Sequence, residues 1–211
     1  MIPVLRCLPL FLAVAVPLQT LPALAQSPQE VSQEAIEAYQ AGNYEAAAEA
    51  WQQLIELEPD NPNAHNNLGA TLYYLGDLEG AVAAYQAAIA IDPDATTYNN
   101  LGVVLAEQED FEAAIAAYEQ ALELNPEVAE VYVNLGHLLN PEDAIALYER
   151  AIELQPDYLE AHNSLGIALA SLEQYEAAIA AFEQALAIDP TYEAAQDNLT
   201  TLQDELESVP E

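Results

Sequence analysis

The chain has 211 residues, 53% of them hydrophobic, and a formal charge of −34 at pH 7 from 36 acids against two basic residues, Arg6 and Arg150. Recognition of nucleic acid, anionic membrane surfaces or acidic peptides runs through lysine and arginine, so this composition argues against all three. A neutral or basic protein or peptide is compatible with the charge, as are bound cations; the alternative is that the acids form a solvated face that gives solubility.

Residues 1–25 read as a secretory signal peptide. Arg6 and the terminal amine give a thin positive start, Cys7 to Leu18 is apolar, and Ala23-Leu24-Ala25 is a small-x-small cleavage site before the polar turn at Gln26. Export to a periplasm, lumen or extracellular space is expected. An N-terminal membrane anchor is the alternative: Cys7 to Ala25 just reaches across a bilayer, but Pro9, Pro17, Pro22 and the polar Gln19-Thr20 interrupt it. Cys7 is the sole cysteine and lies in that leader, so the rest of the chain has no disulfide or thiol chemistry.

From Ser27 onward the alanine-rich, glycine-poor sequence reads as helix. Ser27 is placed to cap a first helix, Pro28 suits its first turn, and Glu30 completes a capping box. That helix runs to about Ala41, with Gly42-Asn43 as the turn into the next. A pattern then repeats. Prolines recur at Pro59, Pro93, Pro126, Pro156 and Pro190, at intervals of 34, 33, 30 and 34 residues. Leu-Gly recurs as Leu68-Gly69, Leu101-Gly102, Leu135-Gly136 and Leu165-Gly166. A small residue recurs as Ala47, Ala81, Ala114, Ala144 and Ala178, and four residues after each comes an aromatic: Trp51, Tyr85, Tyr118, Tyr148 and Phe182. Steps of three and four place these residues on one face of each of two short helices. In the first copy Glu34-Ala35 stands where the others have Leu-Gly, as suits a terminal repeat with a solvated outer face.

The fourth copy is irregular. Gly136 to Ala144 is 8 residues, against 12 for Gly69 to Ala81, Gly102 to Ala114 and Gly166 to Ala178, so about one helical turn is missing. Asn140 offers an N-cap and Pro141 a first helical residue after the shortened turn. The gap reads either as drift at a loop or as a notch that leaves space for a partner. Beyond Pro190, the residues Tyr192, Ala195, Leu199, Leu202 and Leu206 make one apolar stripe, expected as a helix that covers the end of the array.

This constellation resembles the helix-turn-helix signature of the tetratricopeptide repeat family over residues 28 to about 190. The resemblance implies an all-α, right-handed α-solenoid of about five hairpins, at 28–61, 62–94, 95–128, 129–158 and 159–192, with a capping helix over 191–207 and a frayed tail at 208–211. It also implies a non-catalytic protein-interaction scaffold rather than an enzyme, and leaves the partner and the oligomeric state open. The alternative function is an acidic structural or cation-buffering exported protein.

In the resembled family the first helix of each hairpin lines a concave groove, through side chains two and three residues before the repeat glycine and one, four and five after it. That register offers Asn66, Asn67, Ala70, Tyr73 and Tyr74, then Asn99, Asn100, Val103, Ala106 and Glu107, then Val133, Asn134 and His137, and finally Asn163, Ser164 and Ile167. An asparagine amide both donates and accepts, which suits the backbone of an extended peptide. Asparagine before Leu-Gly also serves in this family as a hydrogen bonder between repeats, so both uses stand open. The lysines and arginines with which some members clamp a terminal carboxylate are missing here, so that activity does not transfer. His65 and His162 share a register with Tyr98 and Tyr132 and are expected to be packing residues. No sequence pattern points to a metal, a cofactor or a catalytic constellation.

Overall fold

The computed structural model describes residues 26–208. The signal-peptide reading at 1–25 and the tail after Ser208 lie outside the described residues. Among the described residues there are eleven helices and no strand. They pair as α1 (Pro28–Gln40) with α2 (Tyr44–Leu57), α3 (Pro62–Tyr74) with α4 (Leu78–Ile91), α5 (Ala95–Glu107) with α6 (Phe111–Leu124), α7 (Ala129–Gly136) with α8 (Pro141–Leu154), and α9 (Leu159–Ser171) with α10 (Tyr175–Ile188); α11 (Glu193–Ser208) follows. Each helix packs on the one before and the one after, and the first helices of adjacent hairpins also touch, α3 with α5 and α7 with α9. The result is an α-solenoid of five hairpins and a terminal helix.

Local chemistry sets the helix starts. Ser27 and Glu30 form the expected capping box, and Pro28 sits in the first turn of α1. Asn43, Asn61, Asp77, Asp94, Asp110 and Asn140 each accept a hydrogen bond from a backbone N–H of the helix that follows. Such a cap is worth about 1 kcal/mol. Within hairpins one, two, three and five the chain reverses through a left-handed residue seven positions after the repeat glycine, or after Ala35 in hairpin one. Gly42 and Gly76 occupy it in the first two, at φ 74° and 77°, while Glu109 and Glu173 take it at 62° and 59°. A glutamate there carries the side-chain crowding that glycine escapes. Hairpin four has no such position, because α7 ends at Gly136.

The core is built from the recurring aromatics. Trp51, Tyr85, Tyr118, Tyr148 and Phe182 are all 2–4% exposed. Each of the last four lies on the glycine of its own hairpin: a Cβ added at Gly69, Gly102, Gly136 or Gly166 would come within 2.4–2.8 Å of the ring. The glycine lets the helices close up and the ring fills the space beside it. Burying one such side chain contributes about 1.5–3 kcal/mol. Hairpin one uses Ala35 at the glycine position and still closes, with Val31 and Ala35 fully buried among Ala47, Trp51 and Ala64. The terminal stripe behaves as expected at Ala195 and Leu202, which are buried, whereas Leu206 stays exposed.

His65 and His162 do more than pack. Their Nε2–H groups each donate to a carbonyl six residues back, Pro59 O and Pro156 O, both at 2.9 Å. A carbonyl only accepts, so Nε2 carries the proton. Tyr132 makes the same link to Pro126 O at 3.1 Å, and Gln196 to Pro190 O at 2.5 Å. The proline loop before each helix is thus tied to that helix. Before α5 the loop is one residue shorter, Tyr98 falls five residues after Pro93, and Asp94 instead caps Thr96 and Thr97.

Two solution properties follow. Mutual repulsion among the carboxylates opposes the fold, and Arg150, the only arginine or lysine among the described residues, pairs with Glu153 at 2.7 Å. Screening should therefore raise the melting temperature between low and moderate NaCl, and Ca²⁺ should raise it further; a melting curve indifferent to both would remove repulsion as a limiting factor. At high pH the buried tyrosines act. Burial first, then the carboxylates of Glu130 and Glu160 respectively, push the Tyr118 and Tyr148 hydroxyls up to about 12, from an ordinary value near 10. The neutral form is the one the fold favours, so this contribution is intact below about pH 10 and is lost as pH climbs to about 12. Far-UV circular dichroism should fall in step with the appearance of tyrosinate absorbance; full tyrosine titration near pH 10 with the helices intact would contradict this.

Candidate functional site

The residues singled out by the groove register divide into two groups. One group is engaged between hairpins. Asn66 Oδ1 accepts from Thr97 Oγ1 at 3.2 Å and from Asn100 Nδ2 at 3.4 Å. Asn134 Nδ2 donates to Asn99 Oδ1 at 3.0 Å, and Asn99 Nδ2 donates to Glu130 Oε1 at 3.4 Å. Asn198 Nδ2 donates to Asn163 Oδ1 at 2.8 Å. His137 Nε2 and Ser164 Oγ share a hydrogen bond of 2.9 Å. These links run from one first helix to the next and fix how adjacent hairpins are set. Asn99 and Asn163 are buried, and Val133, offered by the same register, is 0% exposed. The position three residues before the glycine therefore faces the neighbouring hairpin rather than an open groove, because the first helices touch there.

The second group stays open. Tyr74 is 57% exposed, Tyr73 and Asn67 are half-buried, and Glu107 is exposed. The Glu107 carboxylate beside Tyr73 raises the tyrosine's pKa above its ordinary value, with burial second. Tyr74 stacks on Tyr44 with ring centres 4.9 Å apart and planes 9° from parallel, and Tyr39 meets both edge-on at 5.5 and 5.8 Å from Tyr44 and Tyr74. Tyr73 meets Tyr74 edge-on at 5.7 Å. Beside this cluster is a cavity of about 250 Å³ lined by Ile36, Tyr39, Gln40, Trp51, Asn67 and Ala70. Trp51 is buried there with its indole N–H unpartnered.

Tyr39 and Tyr44 were not among the residues marked from the sequence. A signal for Tyr39 was available: it follows Ala35 by four, as Tyr73 follows Gly69, so the same register applied to hairpin one finds it. Tyr44 opens a second helix, for which the register has no rule.

Chemically, the open surface offers tyrosine ring faces, an amide and a carboxylate. Stacked and edge-on tyrosines present negative ring faces that attract cations, most of all guanidinium. The His137–Ser164 pair brings an imidazole to a hydroxyl, but among the described residues no carboxylate bonds the other ring nitrogen, as a nucleophilic triad requires. No group of three or more metal-ligating side chains converges among the described residues, and no described helix is long and apolar enough to cross a membrane.

Comparison with known proteins gives the following. A tetratricopeptide repeat family model matches residues 32–96 and 138–193, and a second tetratricopeptide repeat model matches residues 95–128. No curated protein matches the chain in sequence. Among solved structures, the chain is similar to MamA protein, at 24% identity and a TM-score of 0.68, covering 77% of this chain and 92% of that one. It is similar to MamA from Desulfovibrio magneticus RS-1, at 19% identity and a TM-score of 0.71, covering 81% and 99%. It is similar also to YrrB, described as a TPR protein with an unusual peptide-binding site, at 20% identity and a TM-score of 0.65, covering 81% and 91%. At these identities the likeness is one of fold.

Proposed function

This chain belongs to the tetratricopeptide repeat family, and we propose that it is an exported, non-catalytic scaffold that holds a neutral or basic segment of a partner protein along the first-helix face of its solenoid. The observation that carries this reading is the tyrosine cluster of Tyr39, Tyr44, Tyr73 and Tyr74, with Tyr74 open to solvent, in a chain whose charge is −34. An open tyrosine ring backed by three half-buried ones presents apolar surface to water, and tyrosine is enriched where partners bind. The chain's own described arginine is engaged with Glu153 on α8, so a cation for these rings comes from outside. The engaged asparagines set the spacing of the hairpins, and the open residues Asn67, Tyr73, Tyr74 and Glu107 meet the partner.

A photocrosslinking residue at position 74, followed by identification of the trapped segment, tests the reading. The expected product is a single partner crosslinked through a stretch rich in arginine or lysine. Tyr73→Ala should then weaken that complex about thirtyfold, the scale of a tyrosine hot spot. An acidic trapped segment would overturn the charge preference. Calorimetric Ca²⁺ uptake with no crosslinked partner would favour the cation-buffering alternative. Export is tested by N-terminal sequencing of the released protein, which should begin at Gln26.

A further inference from the structure

Resting on that reading, we infer that the notch of hairpin four is a receptor for one large apolar side chain, such as leucine, of the same partner segment. The notch has a covalent cause. α7 has 8 residues where α3, α5 and α9 have 13. Five residues fewer shorten a helix by about 7.5 Å at 1.5 Å per residue. The positions four and five residues after Gly136, which would continue α7 along α9, fall instead at Asn140, the cap of α8, and at Pro141. The flank of α9 is left uncovered, and Ile167 is 46% exposed although it holds the position of the half-buried Val103.

The space is a cavity of about 240 Å³ whose walls include Leu139, Pro141, Tyr148, Ile167 and Ala168. No charged residue lines it, in a chain with 36 acids. The lining is more apolar than polar, so an apolar group gains by displacing water from the side walled by Leu139, Pro141 and Ile167. Three polar side chains also line the cavity: Ser171, and the pair His137 and Ser164, bonded to each other at 2.9 Å, with Ser164 only 6% exposed. They can satisfy a peptide C=O or N–H that arrives with the side chain. The pocket lies on the groove positions one and five after the repeat glycine, Ile167 and Ser171, so one extended segment passes both it and the tyrosines. The neutral pocket takes the apolar residue, and the acidic surroundings take the basic flanks.

The test uses methyl and aromatic-ring NMR of the full chain with two capped probe peptides, Arg-Gly-Leu-Gly-Arg and Arg-Gly-Ala-Gly-Arg. The leucine peptide should move the Ile167 and Leu139 methyls and bind about tenfold tighter than the alanine peptide. Ile167→Ala, at an exposed position, should reduce that preference to about twofold. Ser171→Trp, which plugs the mouth from another exposed position, should abolish the Leu139 shift. Equal binding of both peptides, with Tyr74 shifted and Ile167 still, would overturn the pocket and leave the groove reading standing. Shifts at Ile167 with none at Tyr74 would uphold the pocket, because a five-residue peptide seated in hairpin four spans about 18 Å at most and need not reach hairpin two. Ile167 shifts that depend on protein concentration without peptide would assign the notch to a second copy of the chain and overturn the proposal.

Discussion

Replacing Tyr118 with alanine is expected to destabilise the protein by about 3–5 kcal/mol, the range for removing a large aromatic from a core. Tyr118 is 2% exposed and belongs to the largest apolar cluster, with Tyr85, Leu101, Val104, Ala114 and Val131 around it. That cluster draws on hairpins two, three and four, so loosening it weakens packing that three units share. In a linear array the loss of one interface loosens its neighbours, and unfolding need no longer be a single transition. Urea titration followed by far-UV circular dichroism should show an earlier midpoint and a broader transition than the parent. A shift below about 1 kcal/mol would mean that the hairpins do not depend on this ring.

Gly102→Leu is expected to cost about 3 kcal/mol, the upper end of the usual overpacking range. A Cβ added at Gly102 would stand 2.5 Å from Tyr118 Cε1, and a leucine has further atoms to place in the same direction. The milder Gly102→Ala separates two opposing effects. Alanine gains up to about 1 kcal/mol in helix propensity, and the contact with Tyr118 costs about 1–3 kcal/mol, so the net change should be a loss. The two positions must also couple. In the double variant Gly102→Ala, Tyr118→Ala the new methyl enters the space the ring vacates, and the combined loss should fall short of the sum by about 1 kcal/mol or more. Additive losses would show that the glycine and the ring do not share one contact.

The fold was legible because its determinants are local and repeated. The glycine and the aromatic of each hairpin keep a fixed spacing, and the contact they make in the structure is the one that spacing implies. Asn140 and Pro141 were readable for the same reason, since a cap depends on the few residues beside it. The left-handed turn residues were readable at Gly42 and not at Glu109 or Glu173, where a glutamate takes a conformation that its chemistry does not advertise. The site was less legible. An asparagine before Leu-Gly has the same amide whether it meets a ligand or a neighbour. Only the approach of adjacent first helices decides, and it turned Asn66, Asn99, Asn134 and Asn163 toward the neighbour. His65 and His162 read as packing residues and prove also to donate to a loop carbonyl six residues back, a reach set by the proline loop rather than by helical periodicity. The tyrosine cluster joins three helices from two hairpins, and its Tyr44 lies outside the groove register altogether.

Every feature of the surface depends on hairpins that complete one another's cores. The most direct measurement is far-UV circular dichroism of hairpin three alone, residues 95–128, beside the full chain. Cut from its neighbours it loses Tyr85, Val131 and Leu135 from the cluster that surrounds Tyr118, and helices of 13 and 14 residues are marginal in water by themselves. The isolated hairpin should show a largely disordered spectrum and no cooperative melt. A helical spectrum with a sharp thermal transition at low concentration would contradict the dependence on neighbours, and with it the shared cores on which the groove is built.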